Sequence, residues 1–363
     1  MQNTLIVRGA PQEYICEVGC WNQLEERLIQ RGLTHVLIVH GELSWQVAQA
    51  KFPKLTHVKA SFDVYHKECT YAERDRLMAL VTEIGADGII AVGGGKVTDV
   101  VKATAAQLVL PAIILPTLAS TCAAYTPLSV MYNEQSEMVG LDIFPTSNSL
   151  VLVDPAIIIG SPKRYMVAGI GDTLAKWYEA KVIIEQLEDP PVEVEIAYFA
   201  ANLCQKNLMR YSTDALKAMD EKKINTAFVK VIETTILVAG MVGGFGDEYG
   251  RTSGAHSIHD ALTLIPEAHN QLHGNKVAYS IFVQLAIENK WTEIDELVPF
   301  YQELGLPISL ADMKLSKISK DIFYKVAEAA TQENENIHLL PGDITAEKVF
   351  NAFFELEKYS KTK

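Results

Sequence analysis

The chain reads as an N-terminal α/β domain built on a parallel sheet, followed by an all-α domain. Three observations predict this. Up to about residue 160, short β-branched runs alternate with helix-length stretches. Those runs are apolar at consecutive rather than alternate positions, as strands covered on both faces are. After Pro162 no such run recurs, and helical patterns punctuated by Pro190-Pro191, Pro266, Pro299 and Pro307 take over. At 363 residues the chain exceeds what one core usually organises, so two domains, 1–160 and 161–363, are expected.

Taken in order, residues 34–39, 55–60, 87–92, 112–115 and 149–153 read as strands. Residues 21–31, 71–84 and 97–108 carry helical patterns between them. In the second half the predicted helices are 163–186, 192–211, 213–220, 225–242, 255–264, 275–289 and 293–303, with two or three more beyond.

Composition narrows the function classes. The net charge of −13 repels phosphate polyanions, so nucleic acid is not an expected partner. No window reads as a bilayer span, so no membrane is expected either. Met1-Gln2-Asn3-Thr4 opens no basic-then-apolar leader, so no secretory signal is expected. The five cysteines (Cys16, Cys20, Cys69, Cys122, Cys204) are odd in number and never spaced C-x-x-C. That argues against a disulfide framework or a cysteine zinc site and fits a reducing cytoplasm.

Three motifs carry chemistry. Residues 87–102 are a buried strand, the glycines Gly93-Gly94-Gly95, then Lys96 and a helix with Asp99 in its first turn. Such a turn lets a backbone approach a pyrophosphate at a helix N-terminus, although it is not G-x-G-x-x-G and a plain tight turn would look alike. After the next strand, Thr117, Ser120, Thr121 and Thr126 place hydroxyls where parallel strands end, suited to ribose or phosphate and equally to turn capping. Finally, Asp172 opens an apolar helix, His256 and His259 lie one helical turn apart, and His273 precedes another helix. One carboxylate and two imidazoles (Asp172, His256, His273) suit a divalent metal with an open position; an N-terminal helix carboxylate and ordinary core histidines would give the same pattern.

Taken together, Gly93-Gly-Gly-Lys-Val-Thr-Asp99, Pro116-Thr-Leu-Ala-Ser-Thr121, Gly169-Ile-Gly-Asp172, Ala255-His-Ser-Ile-His259 and His273-Gly-Asn-Lys-Val-Ala-Tyr279 resemble the glycerol dehydrogenase-like branch of the iron-containing alcohol dehydrogenase family. Within it, Thr121-Cys-Ala-Ala-Tyr-Thr-Pro127 and the stretch after Asp172 are most similar to the hydroxycarboxylate dehydrogenase A subgroup. The resemblance implies a Rossmann-like nucleotide-binding domain over 1–160 and a helical metal-binding domain over 161–363, the dehydroquinate synthase-like architecture. It implies Asp172, His256 and His273 as ligands of one divalent metal, zinc foremost, with iron, nickel or manganese as alternatives. It places Gly94, Gly95, Lys96 and Asp99 at the pyrophosphate of NAD or NADP. Thr117, Thr121, Thr126, Leu128 and Tyr132 then line the nicotinamide side, and Gly41 ends the strand beside the ribose. The implied reaction is hydride transfer between the nicotinamide and a small alcohol or 2-hydroxy acid, by a homo-oligomer in the cytoplasm.

Three departures bear on specificity. Cys122 stands where glycerol dehydrogenases carry an aspartate that binds a polyol, and a thiol is a poor partner for a polyol. Lys176, one turn after Asp172, stands where iron-type relatives place a fourth ligand histidine; an ammonium beside a dication is no ligand, and its expected partner is a substrate carboxylate or, in a plain helix pair, Glu179 or Asp172. His40-Gly41 ends the first long strand where NAD-selective members hold an acidic residue, so NADP is admitted, with Glu42 close by. His259 is a candidate proton relay, or else a contact behind the ligands. A glycerol or polyol dehydrogenase is the alternative within the family. A dehydroquinate synthase-like lyase is the alternative outside it, disfavoured by the lack of a basic cluster and of a glutamate ligand. A non-catalytic nucleotide-binding protein would have no reason to keep the metal-ligand positions.

Overall fold

The computed structural model describes residues 4–361. Met1, Gln2 and Asn3, on which the signal reading partly rests, lie outside the described residues. The first half runs β1 (Tyr14–Cys16), α1 (Leu24–Gln30), β2 (His35–His40), α2 (Glu42–Ala48), β3 (Lys59–Val64), α3 (Tyr71–Ile84), β4 (Gly88–Gly93), α4 (Gly95–Leu108), β5 (Ala112–Pro116), β6 (Leu128–Tyr132), β7 (Met138–Ile143), β8 (Leu150–Val153) and α5 (Pro155–Ile158). Six strands form a parallel sheet in the order β1-β8-β5-β4-β2-β3. Strands β2, β4, β5 and β8 are buried at every residue, which is why their sequences are apolar without alternation. Between β2 and β4 the chain reverses its direction across the sheet. His40 pairs in register with Val92 there, so Gly41 and the glycine turn emerge side by side at the crevice where such sheets bind ligands.

Helix α3 has the predicted bounds because both ends are capped: Thr70 Oγ1 accepts the Glu73 N–H (3.1 Å), and Gly85 closes the helix in the left-handed region at φ 68°. The strand predicted over 55–60 is displaced toward the C-terminus, to Lys59–Val64. Strand β1 and the antiparallel hairpin β6–β7 were not anticipated. The first has only three residues, and the second follows the hydroxyl-rich segment directly.

The second half is helical: α6 (Lys163–Ile184), α7 (Val192–Glu221), α8 (Thr226–Glu233), α9 (Ala239–Gly246), α10 (Gly254–Leu262), α11 (His273–Ile287), α12 (Trp291–Leu304), α13 (Lys320–Ala330) and α14 (Ala346–Ser360). The two helices expected over 192–220 are one, with Ser212 buried inside it. Helices α8 and α9 are joined by a π-helical turn, Thr234–Val238. Contrary to the expectation of no bilayer-length window, Thr226–Tyr249 is a 24-residue helical stretch of mean hydropathy 1.6. Its best window is 61% buried inside the protein, as a core helix is.

The residues divide into two compact units. One comprises Arg8–Lys163 with Lys217–Gly240; the other comprises Arg164–Leu216 and Met241–Lys363, together with the stretch ending at Val7. The stretch 217–240 thus belongs to the same unit as the sheet. Gly240 explains part of that grouping, since a Cβ there would overlap the Tyr125 ring. The Lys163–Asp220 ion pair (2.7 Å) and the bond from Lys222 Nζ to the Ile159 carbonyl (3.2 Å) add to it. None of the five cysteines is in a disulfide.

Candidate metal and cofactor sites

Two glycines bring the predicted metal residues together. A Cβ on Gly171 would lie 2.7 Å from the Gly274 carbonyl oxygen, and one on Gly274 would overlap the Ala168 carbonyl. Helices α6 and α11 therefore meet backbone to backbone, which only glycine permits. Asp172 follows one contact glycine and His273 precedes the other. His256 enters from the first turn of α10. Asp172 Oδ1 lies 3.4 Å from His273 Nε2 and 3.5 Å from His256 Nε2. The three candidate ligand atoms all lie within 4.8 Å of one another. The Asp172 side chain is 8% exposed and that of His256 12%, whereas His273 is 40% exposed, so one side of the cluster stays open.

Sequence reasoning missed Glu179. It lies two turns after Asp172 on α6, and its buried carboxylate accepts from His256 Nδ1 at 2.7 Å. Its other oxygen accepts the backbone N–H groups of Ser253 (2.7 Å) and His256 (2.9 Å). Gln284 Oε1 takes the Ala255 N–H (2.9 Å), so the start of α10 is capped by side chains from α6 and α11. An imidazole whose Nδ1–H points at a carboxylate presents Nε2 as a lone pair, the arrangement found behind metal-ligating histidines. Nothing in the spacing gave this away, because Glu179 reads locally as a partner for Lys176.

The electrostatics suit a cation. Burial opposes ionisation of Asp172, but its hydrogen bonds to the two imidazoles hold its carboxyl well below the usual carboxylate range. Glu179 is likewise buried and likewise lowered, chiefly by the charge of His256. Burial disfavours a charged His256, yet Glu179 and Asp172 raise its pKa to about 10. Two buried carboxylates holding a proton between imidazoles is what a dication would replace. On this donor set the residues fit a divalent metal.

Lys176 lies on the same face of α6, and its Nζ donates to the Arg251 carbonyl at 3.0 Å. His259 packs edge-on against His273, ring centroids 4.3 Å apart, and its Nδ1 lies 2.8 Å from Asp260 Oδ1. Its Nε2 is buried with no hydrogen-bond partner. Burial, and then the charge of His273, pushes its pKa down to about 3.

In the sheet unit, Gly41 and the glycine turn follow the ends of the adjacent strands β2 and β4. Ser44 Oγ accepts the Gly41 N–H (3.1 Å) and lies 3.1 Å from the Val92 carbonyl. Gly93 is required by packing, since a Cβ there would come within 2.9 Å of Val97 Cβ, whereas one on Gly94 would meet only the end of the Leu118 side chain. Gly95 has no such reason: its Cβ would sit 3.4 Å from Thr121 Oγ1, filling the space between the start of α4 and the hydroxyl-rich segment. Thr117 is buried, with its N–H on the Gly93 carbonyl (3.0 Å). Thr121 Oγ1 accepts the Ala123 N–H (3.2 Å), and the Cys122 carbonyl accepts the N–H groups of Tyr125 and Thr126. Thr126 Oγ1 is buried without a partner. A cradle that a Cβ would fill and an orphaned hydroxyl beside it fit a dinucleotide. Leu128 and Tyr132 bound β6. Lys96 Nζ lies 5.2 Å from the Tyr132 ring centroid and pairs with Glu68 (2.6 Å), a half-exposed pair of little energetic weight that a phosphate can displace.

Asp99 differs from expectation. Its side chain turns inward to Lys102 (2.8 Å) and the Val130 N–H (3.3 Å), tying α4 to β6. His40 stacks on Trp45 at 4.5 Å, so no acidic side chain ends β2.

A carboxylate–imidazole cluster on a helical unit, with a phosphate-type turn at the reversal point of a parallel sheet, defines a class: metal-dependent oxidoreductases that use a nicotinamide dinucleotide. Comparison with known proteins gives the family. Residues 11–155 match the family described as iron-containing alcohol dehydrogenase. The chain is 35% identical to hydroxycarboxylate dehydrogenase A of Escherichia coli (strain K12), covering 98% of this chain and 99% of that protein. It is 34% identical to glycerol dehydrogenase of Thermotoga maritima, covering 97% and 96%. The structure of a probable glycerol dehydrogenase from Sinorhizobium meliloti 1021 superposes with a TM-score of 0.89 at 30% identity, covering 98% of this chain and 99% of that one. The chain belongs to the iron-containing alcohol dehydrogenase family and has its dehydroquinate synthase-like fold. It is an enzyme that interconverts an alcohol and its carbonyl compound, with a metal and a nicotinamide cofactor, on small-molecule substrates.

Proposed function

We propose that the enzyme interconverts a small 2-hydroxy acid and its 2-oxo acid, with Asp172, His256 and His273 holding a single zinc ion. The observation that carries this reading is Lys176. Lys176 follows Asp172 by one helical turn, and its half-buried ammonium, which donates to the Arg251 carbonyl, supports pairing with a substrate carboxylate. Three protein donors with one open side suit catalytic zinc, and iron, nickel or manganese accept the same set. A metal held by these residues would supply Lewis acidity toward a substrate oxygen, and a nicotinamide would supply the hydride chemistry.

The chain's own residues do the rest. Glu179 fixes the His256 tautomer and orientation. His259, with Nδ1 on Asp260, relays the hydroxyl proton: Nε2 accepts it as the Nδ1 proton passes to the Asp260 carboxylate. Lys176 orients the acid. Gly41, Gly94, Gly95, Lys96, Thr117, Thr121, Thr126, Leu128 and Tyr132 hold the dinucleotide, and Asp99 supports them from inside. Cys122 leaves the substrate side without the aspartate a polyol would use. NAD and NADP are both accepted, since His40-Gly41 offers no repulsion to a 2′-phosphate.

The enzyme is further proposed to work in the cytoplasm, without nucleic acid or membrane, as a homo-oligomer. The exposed apolar residues Val139, Leu141 and Ile143 on one face of β7 support assembly. The test is a panel of alcohols, polyols and 2-oxo acids with each cofactor. Preferred turnover of 2-oxo acids supports the reading, whereas preferred turnover of glycerol with Lys176→Ala fully active replaces it by a polyol dehydrogenase.

A further inference from the structure

Lys102 has no role in the chemistry described so far, yet it is among the most buried side chains of the sheet unit, at 2% exposure. It lies two turns into α4, the helix that begins at the glycine turn. Its Nζ pairs with Asp99 Oδ1 at 2.8 Å. It also donates to the carbonyls of Ala123 (2.7 Å), Thr126 (3.1 Å) and Leu128. A buried cation is tolerated only when paired and fully hydrogen-bonded, and buried carbonyls need donors wherever they are. Here both needs are met at one atom. The carbonyls of Ala123 and Thr126 belong to the irregular segment between β5 and β6, which has no ladder of its own to fix it, and that of Leu128 to the first residue of β6. Ser129 Oγ donates to the Asp99 carbonyl (2.7 Å) and the Val130 N–H to its carboxylate, extending the same tie into β6.

We propose that Lys102 is a positioning residue for the cofactor. Its ammonium, neutralised by Asp99, clamps the 123–128 segment to α4, so that the glycine turn and the side chains of Thr126 and Leu128 present one fixed surface to the dinucleotide. The proposal rests on the reading of that segment as the cofactor's nicotinamide side. It explains why Asp99 turns inward instead of toward a pyrophosphate.

Lys102→Met keeps the length of the side chain and removes the donor. The double variant Asp99→Asn/Lys102→Met leaves no lone buried charge, and it stands in where the single variant does not fold. Dissociation constants for reduced and oxidised NAD and NADP are read by fluorescence titration on folded protein. Zinc affinity of the Asp172–His256–His273 cluster is read on the same samples. The clamp predicts that dinucleotide affinity falls about tenfold or more, the scale set by one unmet buried polar partner, while zinc affinity holds. A merely structural lysine would lower the melting temperature and leave the dinucleotide constants of the folded protein unchanged, and that result overturns the proposal. Should neither variant fold, hydrogen exchange of the wild type decides. Amides of 123–128 must slow on adding dinucleotide, and unchanged exchange at saturation overturns it. A wild type that binds no dinucleotide removes the cofactor reading and the clamp together, whereas a wild type that binds and a variant that binds equally removes the clamp alone.

Discussion

Glu179→Gln is the sharpest perturbation of the metal cluster, because it changes one proton and almost no volume. In the wild type one oxygen accepts the Ser253 and His256 N–H groups and the other accepts His256 Nδ1–H at 2.7 Å. A glutamine keeps an oxygen on the two backbone donors and turns its NH2 toward Nδ1. That nitrogen must then accept, and the ring proton moves to Nε2, the atom aimed at Asp172. The imidazole is left in the tautomer that cannot ligate. Loss of such a supporting partner costs about 10–100-fold in metal affinity, or roughly 1.4–2.7 kcal/mol.

The assay is competition of apoprotein against a chromogenic zinc chelator across pH. In the wild type, His256 titrates at about 10, so below that pH metal binding expels about one proton and affinity rises with pH. The same shift has a stability sign. The folded pKa lies above the unfolded value, so the contribution to apoprotein stability is full below pH about 6.5 and is lost as pH rises through about 10. Glu179→Gln removes the main charge raising His256, so proton release near neutrality should shrink along with affinity. A folded variant with unchanged zinc affinity and unchanged proton release would refute the tautomer argument.

Other consequences follow from single contacts. Gly274→Ala drives a methyl into the Ala168 carbonyl, so it should cost about 1–3 kcal/mol or more by thermal melting and loosen zinc together with stability. Lys176→Ala should raise KM for 2-oxo acids about tenfold or more in steady-state kinetics while sparing neutral aldehydes; identical constants for both classes would contradict the carboxylate role. Gly41→Asp places a carboxylate beside the ribose and should raise KM for NADP about tenfold or more relative to NAD, after a small yielding of Ser44.

Much of the architecture was legible because the central strands advertise burial on both faces. Residues 34–39, 87–92, 112–115 and 149–153 landed within one residue of β2, β4, β5 and β8. The metal cluster was legible because Asp172 and His273 each adjoin a glycine in a motif whose order is distinctive. What stayed hidden depends on contacts distant in sequence. Glu179 acquires its role only where α6 meets the start of α10. Nothing in the sequence around Lys102 signals burial, since lysines are rarely buried, and only the folded segment at 123–128 supplies its carbonyl partners. The association of 217–240 with the sheet likewise depends on Gly240 against Tyr125, a pairing no local pattern encodes. The helix expected over 225–242 does not read as bilayer-length, because Lys230 and Glu233 interrupt the apolar stretch 226–249 near its start.

The most direct test is reconstitution. Apoprotein prepared by chelation should lose turnover of alcohol or 2-oxo acid, followed by the absorbance of reduced nicotinamide, and regain it with one equivalent of zinc or another divalent metal. Asp172→Asn should abolish both the recovery and the metal binding. Full activity in protein shown to be free of metal, or a catalytic cycle with no net change in nicotinamide absorbance, would contradict the account.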